Sequence, residues 1–262
     1  MKNFTYILDS KNLARTESPA LTETTQNGSS PAENMIALPV SKPFRSAAAG
    51  LSSQKTLIDY SSSQTIDTIA LINTNLRAGA TITIKGGSSS DPSGVVTGFT
   101  FQGLGSGTVW AIRSSTVAHR YWSVTLTDAG HADNYLQVGY LIMGAKVTLS
   151  TQFLPEWTKE KIKLVRRSEN EIGVPMLGSK LYSGTRVLVT FGGLTITERN
   201  EVDSFLDSLD LGIEPSFIVP DYDEADAYYG GLLESYAIEQ TNSNVASIAC
   251  IFQTHSHGLV VT

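Results

Sequence analysis

One stretch constrains this chain more than any other: Leu57-Ile-Asp-Tyr-Ser-Ser-Ser-Gln-Thr-Ile-Asp-Thr-Ile-Ala-Leu-Ile-Asn-Thr-Asn-Leu-Arg-Ala-Gly-Ala-Thr-Ile-Thr-Ile-Lys85. Its apolar residues come as short alternating runs and short blocks, bounded by small polar residues, which is the pattern of strands rather than helices. It reads as three short strands. The polar stretch Tyr60–Gln64 is the expected turn between the first and second. Arg77-Ala-Gly-Ala80 is the expected turn between the second and third.

The totals agree with a β-rich reading. A chain of 262 residues holds one large or two ordinary domains and can bury a core without staples. Charged residues are sparse at 17%, while Gly, Ser and Thr are abundant, as suits many strands joined by turns. The net charge is −6 with no basic stripe, so there is no electrostatic footprint for specific nucleic-acid binding. Cys250 is the only cysteine, which excludes an internal disulfide; set in Ala249-Cys-Ile-Phe252, it reads as a core thiol. The N-terminus lacks the apolar stretch of a signal peptide, and no window approaches the ~20 apolar residues of a membrane span. Synthesis in the cytoplasm of a host cell, with no membrane partner, is the expectation.

Further strands follow from the same logic. In Arg120-Tyr-Trp-Ser-Val-Thr-Leu-Thr-Asp128, Trp122, Val124 and Leu126 alternate with Tyr121, Ser123, Thr125 and Thr127, which predicts a half-buried strand. Asn134–Gly144 predicts another. Gly86–Gly94 is a loop, and Val95–Val109 is a weak hairpin with Gly98, Gly103, Gly105 and Gly107 at its bends. Lys11–Ser30 is an irregular lead-in anchored by Phe4, Tyr6, Ile7 and Leu8. The two prolines of Asn34–Ser46 confine that segment to an edge strand and a crossing loop.

The order of Phe44-Arg-Ser46, the 57–85 run, Arg120–Asp128 and Tyr135–Gly144 resembles a galactose-binding-type (discoidin-like) β-jelly roll. The resemblance covers about residues 10–146 and is sharpest at 57–85 and 120–144. It implies a jelly-roll domain over 1–146 that binds or builds rather than catalyses. Ligands of such modules enter through loops at one end of the sandwich, here Ser41–Arg45, Gly86–Gly94 and Ala129–Asn134. Trp110, Trp122, Tyr121 and Tyr135 are the rings available to stack on a sugar. Trp122 alternates into the apolar face, so Trp110 is the better surface ring, with His119 and His131 as further possible glycan contacts.

The remainder, 147–262, reads as a smaller β unit with one helix. Leu154–Arg167 is amphipathic, either a short helix or a connecting strand. Arg186–Phe191 is a strand that Gly192 and Gly193 turn. Over Thr197–Leu209 the residues Val202, Phe205, Leu206 and Leu209 form one apolar stripe, with Thr197 as the N-cap and Gly212 as the stop. Ser216–Pro220, Leu232–Gln240 and Asn244–Gln253 are strands, the last two a hairpin.

This order resembles the β-sandwich-plus-helix unit of bacteriophage tail proteins, the tail-tube and distal-tail group. Together the two resemblances imply a mainly β structural protein, a jelly roll followed by a smaller β-sandwich or β-barrel unit with a packed helix at 197–209. They imply a distal-tail-like part of a tail tip or baseplate ring, located in the virion. Expected partners are further copies in a closed ring and other tail proteins, with a host surface polysaccharide as the partner in host attachment. Candidate subunit contacts are Tyr182, Arg186, Tyr222, Tyr228 and Tyr229. The alternative is a carbohydrate-binding module that recognises a host glycan.

Catalytic and cofactor chemistry finds little support. Gly103-Leu-Gly-Ser-Gly107 does not open a helix after a strand, so no dinucleotide is implied. There is no nucleophile elbow, and Cys250 has no triad around it. Asp221, Asp223, Glu224 and Asp226 lack the spacing of a calcium loop and read as a solvated loop. His255 and His257 read as a terminal pair rather than metal ligands. No cofactor, metal or catalytic residue is expected.

Overall fold

The computed structural model of the protein describes residues 4–38, 40, 42–149, 156–165, 168–169, 175–176, 180–209, 215–219, 227–232, 236–242 and 245–254. Its first strands are β1 (Thr5–Leu8), β2 (Ala20–Glu23), β3 (Phe44–Arg45), β4 (Gln54–Ile72), β5 (Thr81–Gly87), β6 (Thr108–Thr127), β7 (Gln137–Val138) and β8 (Tyr140–Gly144). There follow β9 (Val147–Thr148), β10 (Glu156–Val165), β11 (Ser168–Glu169), β12 (Pro175–Met176), β13 (Lys180–Leu194), β14 (Ser216–Val219), β15 (Tyr228–Leu232), β16 (Ala237–Asn242) and β17 (Val245–Thr254). The α-helices are α1 (Leu13–Thr16) and α2 (Ile196–Ser208). The mainly β class expected from the sequence is the class observed. Two compact units divide the chain. One comprises Tyr6–Val147 with Glu224–Ala227, the other the residues up to Thr5 together with Thr148–Asp223 and Tyr228–Thr262.

In the first unit β2, β4, β6 and β5 lie side by side in that order, and β8 pairs with the far half of β4. All these pairings are antiparallel. Tyr60–Gln64 is not the turn expected. β4 runs through it as one strand, and its register against β6 breaks between Asp59 and Gln64. The extra residues bulge, with Ser61 at φ 62° and its N–H donating to the Asp59 carboxylate at 2.7 Å. Both halves of β4 keep the same partner, so the chain bends without reversing. Tyr60 turns inward, 3% exposed, and its hydroxyl contacts the Met143 sulfur.

Ile58, Ile84, Trp122, Val124 and Leu126 from one half, and Ile66, Ile69, Leu71, Val109, Leu141 and Met143 from the other, make one hydrophobic core. Each full burial of such a side chain contributes roughly 1.5–3 kcal/mol. The alternation read over Arg120–Asp128 holds for Trp122, Val124 and Leu126, but outward-facing Ser123 is also fully buried. The loop carrying Pro92 folds back over Gly87, which lies opposite Tyr121, while Ser123 lies opposite Lys85.

Within the lead-in, Asn12 is fully buried and carries α1: its Oδ1 accepts from Ala14 N and Met143 N, and its Nδ2 donates to Leu141 O. One amide thereby caps the helix and ties it to β8.

In the second unit the order is β10, β13, β17, β15, β14, with β16 also on β17. Leu154–Arg167, open between helix and strand, contains strand β10. Gly192 and Gly193 lie inside β13 and form a bulge between Phe191 and Leu194, with Gly193 at φ 68°, instead of turning the chain. Thr195, not Thr197, caps α2. Its side chain accepts from Glu198 N, and Glu198 Oε2 accepts in return from Thr195 N at 2.8 Å. A capping box needs its carboxylate three residues on, and only Thr195 has Glu198 there. The apolar stripe holds: Val202, Phe205, Leu206 and Leu209 are all buried. Gly212 lies outside the described residues.

Candidate functional site

A polar cluster in the first unit gathers around the turn that follows β4. Asn73 adopts φ 57°, a left-handed conformation that Asn tolerates, and this sends the chain sideways after Ile72. Asn75 then satisfies the 128–139 segment with one side chain. Its Nδ2 donates to Tyr135 O at 3.0 Å and to Asp133 Oδ2 at 3.1 Å, and its Oδ1 accepts from Gln137 N at 2.8 Å. Arg77 closes the base of that segment, donating from its backbone N, Nε and Nη2 to the Asp128 carboxylate. Asp128 is 4% exposed. Burial pushes its carboxyl up, but the hydrogen bonds and charge of Arg77 outweigh that and hold it below the usual carboxylate range.

Arg45 arrives from β3, which pairs with β7 so that Arg45 lies opposite Gln137 and Phe44 opposite Val138. Phe44 is fully buried and anchors the short strand. Ser46 continues the zipper: its N–H donates to Leu136 O, and its Oγ accepts from Leu136 N, both at 2.9 Å. Arg45 Nε donates to Gln137 Oε1 at 3.1 Å, and the guanidinium lies over the Tyr135 ring at 4.8 Å. Gln137 Nε2 in turn donates to Asn73 Oδ1 at 3.2 Å. Arg45, Tyr135 and Gln137 are half-buried, so each is held by the fold while keeping part of its surface in solvent. A planar cation on an aromatic face, both facing water, can accept a ligand that has an apolar face and a hydroxyl rim.

Of the three loops expected to carry a ligand, Ser41–Arg45 ends at Arg45, which meets Tyr135 and Gln137, residues that follow the expected loop Ala129–Asn134 rather than belong to it. The third, Gly86–Gly94, lies at the opposite end of β5 from the Arg77 turn. It closes on itself through Gly86 N to Gly94 O and carries an ion pair between Lys55 and Asp91.

The predicted contact residues scatter. Trp110 is 1% exposed on β6, between Ala70 of β4 and the Gln102 bridge, so its ring belongs to the interior and is out of reach of a ligand. Gly98, Gly103, Gly105 and Gly107 adopt positive φ at bends of the neighbouring segment, and they do not expose the ring. His119 sits mid-strand opposite Gln64, edge-on to Trp122 at 5.3 Å and over Gly86. The length of β6 from His119 to Thr127 separates it from His131. His131 is in the polar cluster but is 7% exposed, with both ring nitrogens in use, to Asn75 O at 2.7 Å and from Asp133 N at 3.1 Å. It positions the loop and does not present itself to a ligand.

Among the candidate subunit contacts, Tyr228 and Tyr229 are buried in β15, opposite Ile218 and Phe217, and so offer no outer surface. Arg186 is half-buried on β13 opposite Glu160 and Gln253. Tyr182 stands opposite Leu164. Tyr222, the acidic run Asp221–Asp226, His255 and His257 lie outside the described residues. Cys250 is 2% exposed with its Sγ on Val189 O, and burial pushes its thiol up. Among the described residues no group of three or more His, Cys, Asp or Glu is placed to hold a metal, and no helix is long and apolar enough to cross a membrane. Arg45 was legible only as the end of a candidate loop; its apposition to Tyr135 needed the β3–β7 pairing.

No family model matches the chain, and no curated protein matches it. Solved structures do. A chitosan-binding module 1 from a chitosanase/glucanase of Paenibacillus sp. IK-5 is 20% identical, covers 51% of this chain and 98% of its own, and has a TM-score of 0.42. Module 2 of that enzyme, in complex with chitotriose, is 20% identical over 51% of this chain and 100% of its own, with a TM-score of 0.43. The family 32 carbohydrate-binding module of NanJ from C. perfringens, in complex with galactose, is 13% identical over 55% of this chain and 99% of its own, with a TM-score of 0.42. The chain is similar to these modules over about half of its length.

Proposed function

We propose that the Tyr6–Val147 unit is a carbohydrate-binding module whose ligand docks at Arg45 and Tyr135. The observation that carries this is the guanidinium held over the Tyr135 ring at 4.8 Å with its Nε fixed by Gln137. A sugar offers hydroxyl oxygens to planar donors and C–H faces to a stacked planar group, and the guanidinium, backed by the Tyr135 ring, stands here already oriented. Pre-orientation lowers the entropy lost on binding. The unit acts by attachment, without catalysis.

The test is affinity electrophoresis of the full chain in gels cast with bacterial surface polysaccharides, chitosan and galactans. Retardation by at least one polysaccharide is expected, and Arg45→Ala and Tyr135→Ala should each abolish it while circular dichroism stays unchanged. Free migration of the folded chain through every gel would overturn the reading.

A place in a bacteriophage tail ring is the second reading, and it rests on the resemblance of the sequence to tail proteins. None of the solved structures above is a tail protein. On this reading the glycan site would serve host attachment from the virion. Light scattering on a size-exclusion column tests it: closed rings are expected, and a monomer at all concentrations counts against it.

A further inference from the structure

The arginines of the first unit divide by what they face. Arg15 pairs with Asp9, Arg77 with Asp128 and Arg120 with Asp59, each guanidinium meeting a carboxylate. Arg113 meets none, but its Nε and Nη1 are enclosed, with Phe99 against the guanidinium at 5.6 Å, so no ligand reaches those atoms. Arg45 differs from all four. Its fixed partners are a neutral amide, Gln137 Oε1, and a ring face, Tyr135. Among the described residues no carboxylate lies within ion-pairing distance of it. Asp133, the nearest acidic residue in sequence to Tyr135, is bound by Asn75 Nδ2 and lies 3.8 Å from His131 Nδ1.

A guanidinium held by one nitrogen and one face keeps its two terminal nitrogens free to act as a fork. That fork is the geometry that carboxylate and sulfate oxygens match with two parallel, charge-assisted hydrogen bonds. Within a chain of net charge −6 it is an oriented, half-buried cation with no ion-pairing carboxylate among the described residues. Neutral sugar hydroxyls alone would not require that the charge be left unpaired.

We infer that the Arg45–Tyr135 site selects acidic saccharides, taking a sugar-borne anion, a carboxylate or a sulfate ester, on the terminal nitrogens of Arg45. This rests on the carbohydrate-binding reading above and names the ligand class for the same site. Gln137 acts as a positioning residue: by occupying Nε with a neutral acceptor it aims the fork outward without neutralising it.

Calorimetric titration of the full chain with polygalacturonate, with its carboxyl-reduced neutral counterpart and with a sulfated galactan tests the inference. At least one acidic polymer should bind roughly tenfold or more tightly than the neutral one, the scale of charge-assisted hydrogen bonds. Which acidic polymer binds identifies the anion as carboxylate or sulfate. The preference should shrink as salt rises from 0.02 to 0.3 M, because exposed charges are screened beyond about 10 Å at 0.1 M. Arg45→Gln should remove the preference, and Arg45→Lys, which keeps the charge but not the fork, should lose most of it. Arg45→Lys also serves if Arg45→Gln does not fold. Equal binding of acidic and neutral polymers, or an acidic preference that survives both variants, overturns the inference and leaves the carbohydrate reading standing. Failure of every polymer to bind the folded chain overturns both.

Discussion

His131 Nε2 lies 2.7 Å from the backbone oxygen of Asn75, and its Nδ1 lies 3.1 Å from the backbone nitrogen of Asp133. An amide N–H can only donate and a carbonyl can only accept, so the pair of contacts selects the tautomer that carries its proton on Nε2. The ring therefore rivets two segments together: the turn after β4 and the loop after β6. The same Asn75 holds the far end of that loop through its side chain.

Removing either rivet should loosen the platform without emptying the core. His131→Ala and Asn75→Ala remove hydrogen bonds to part-buried backbone groups, at about 1 kcal/mol each. Chemical denaturation should show that loss, and ligand affinity should fall as Tyr135 loses its support. Unchanged stability in both variants would contradict the rivet.

Gly86 faces the His119 ring so closely that an added Cβ would sit 2.2 Å from its Cδ2. Trp122 stands edge-on behind that ring, with its Nε1 donating to His119 O at 3.0 Å, which limits retreat. Gly86→Ala should cost about 1–3 kcal/mol by overpacking. Adding His119→Ala should recover much of it, a coupling that a double-mutant cycle reads directly.

Asp128 makes stability acid-sensitive in a defined sense. Its folded carboxyl titrates below the ordinary 3.8, so as acid is added the unfolded chain takes up the proton first. The contribution is complete above that value and is lost as the pH falls through the lowered one. Asp128→Asn should be less stable near neutrality and flatter in its stability below about pH 4. Denaturation midpoints measured from acid to neutral check both points.

Phe4 is fully buried, with its ring 5.3 Å from Phe191, 5.5 Å from Phe205 and 6.4 Å from Phe252. Phe4→Ala should cost about 3–5 kcal/mol. The loss should fall on the unit that contains α2, leaving the protection of β4 and β6 against hydrogen exchange unchanged. Equal loss of protection in both units would refute this assignment.

Thr195 and Glu198 answer each other at the start of α2. Thr195→Ala should destabilise by about 1 kcal/mol, whereas Thr197→Ala should have little effect. Comparing the two midpoints separates the observed cap from the one the stripe alone suggested.

What was legible in the sequence was local and periodic. Alternation at Trp122, Val124 and Leu126 and the stripe Val202, Phe205, Leu206 and Leu209 each follow from one element meeting one face of a core, so spacing alone reveals them. Punctuation was less legible. Tyr60–Ser63 and Gly192-Gly193 have the composition of turns, yet both are bulges, because a bulge and a turn ask for the same residues and differ only in whether the chain finds its partner strand again. Burial of Trp110 was hidden because glycines nearby in sequence look like exposure, whereas the residue lies on a strand paired on both sides, by Ala70 and by Gln102.

By itself, then, the sequence determined the β class, the strands of strongest alternation and the apolar face of the helix, since these depend on backbone periodicity and neighbouring residues. Only the tertiary structure decided which distant residues meet. Phe4 joins Phe191, Phe205 and Phe252, and Arg45 comes to lie over Tyr135, through pairings between segments far apart in the chain. The physical reason is that register and long-range pairing are set by how the whole core packs, and no local window of residues carries that energy.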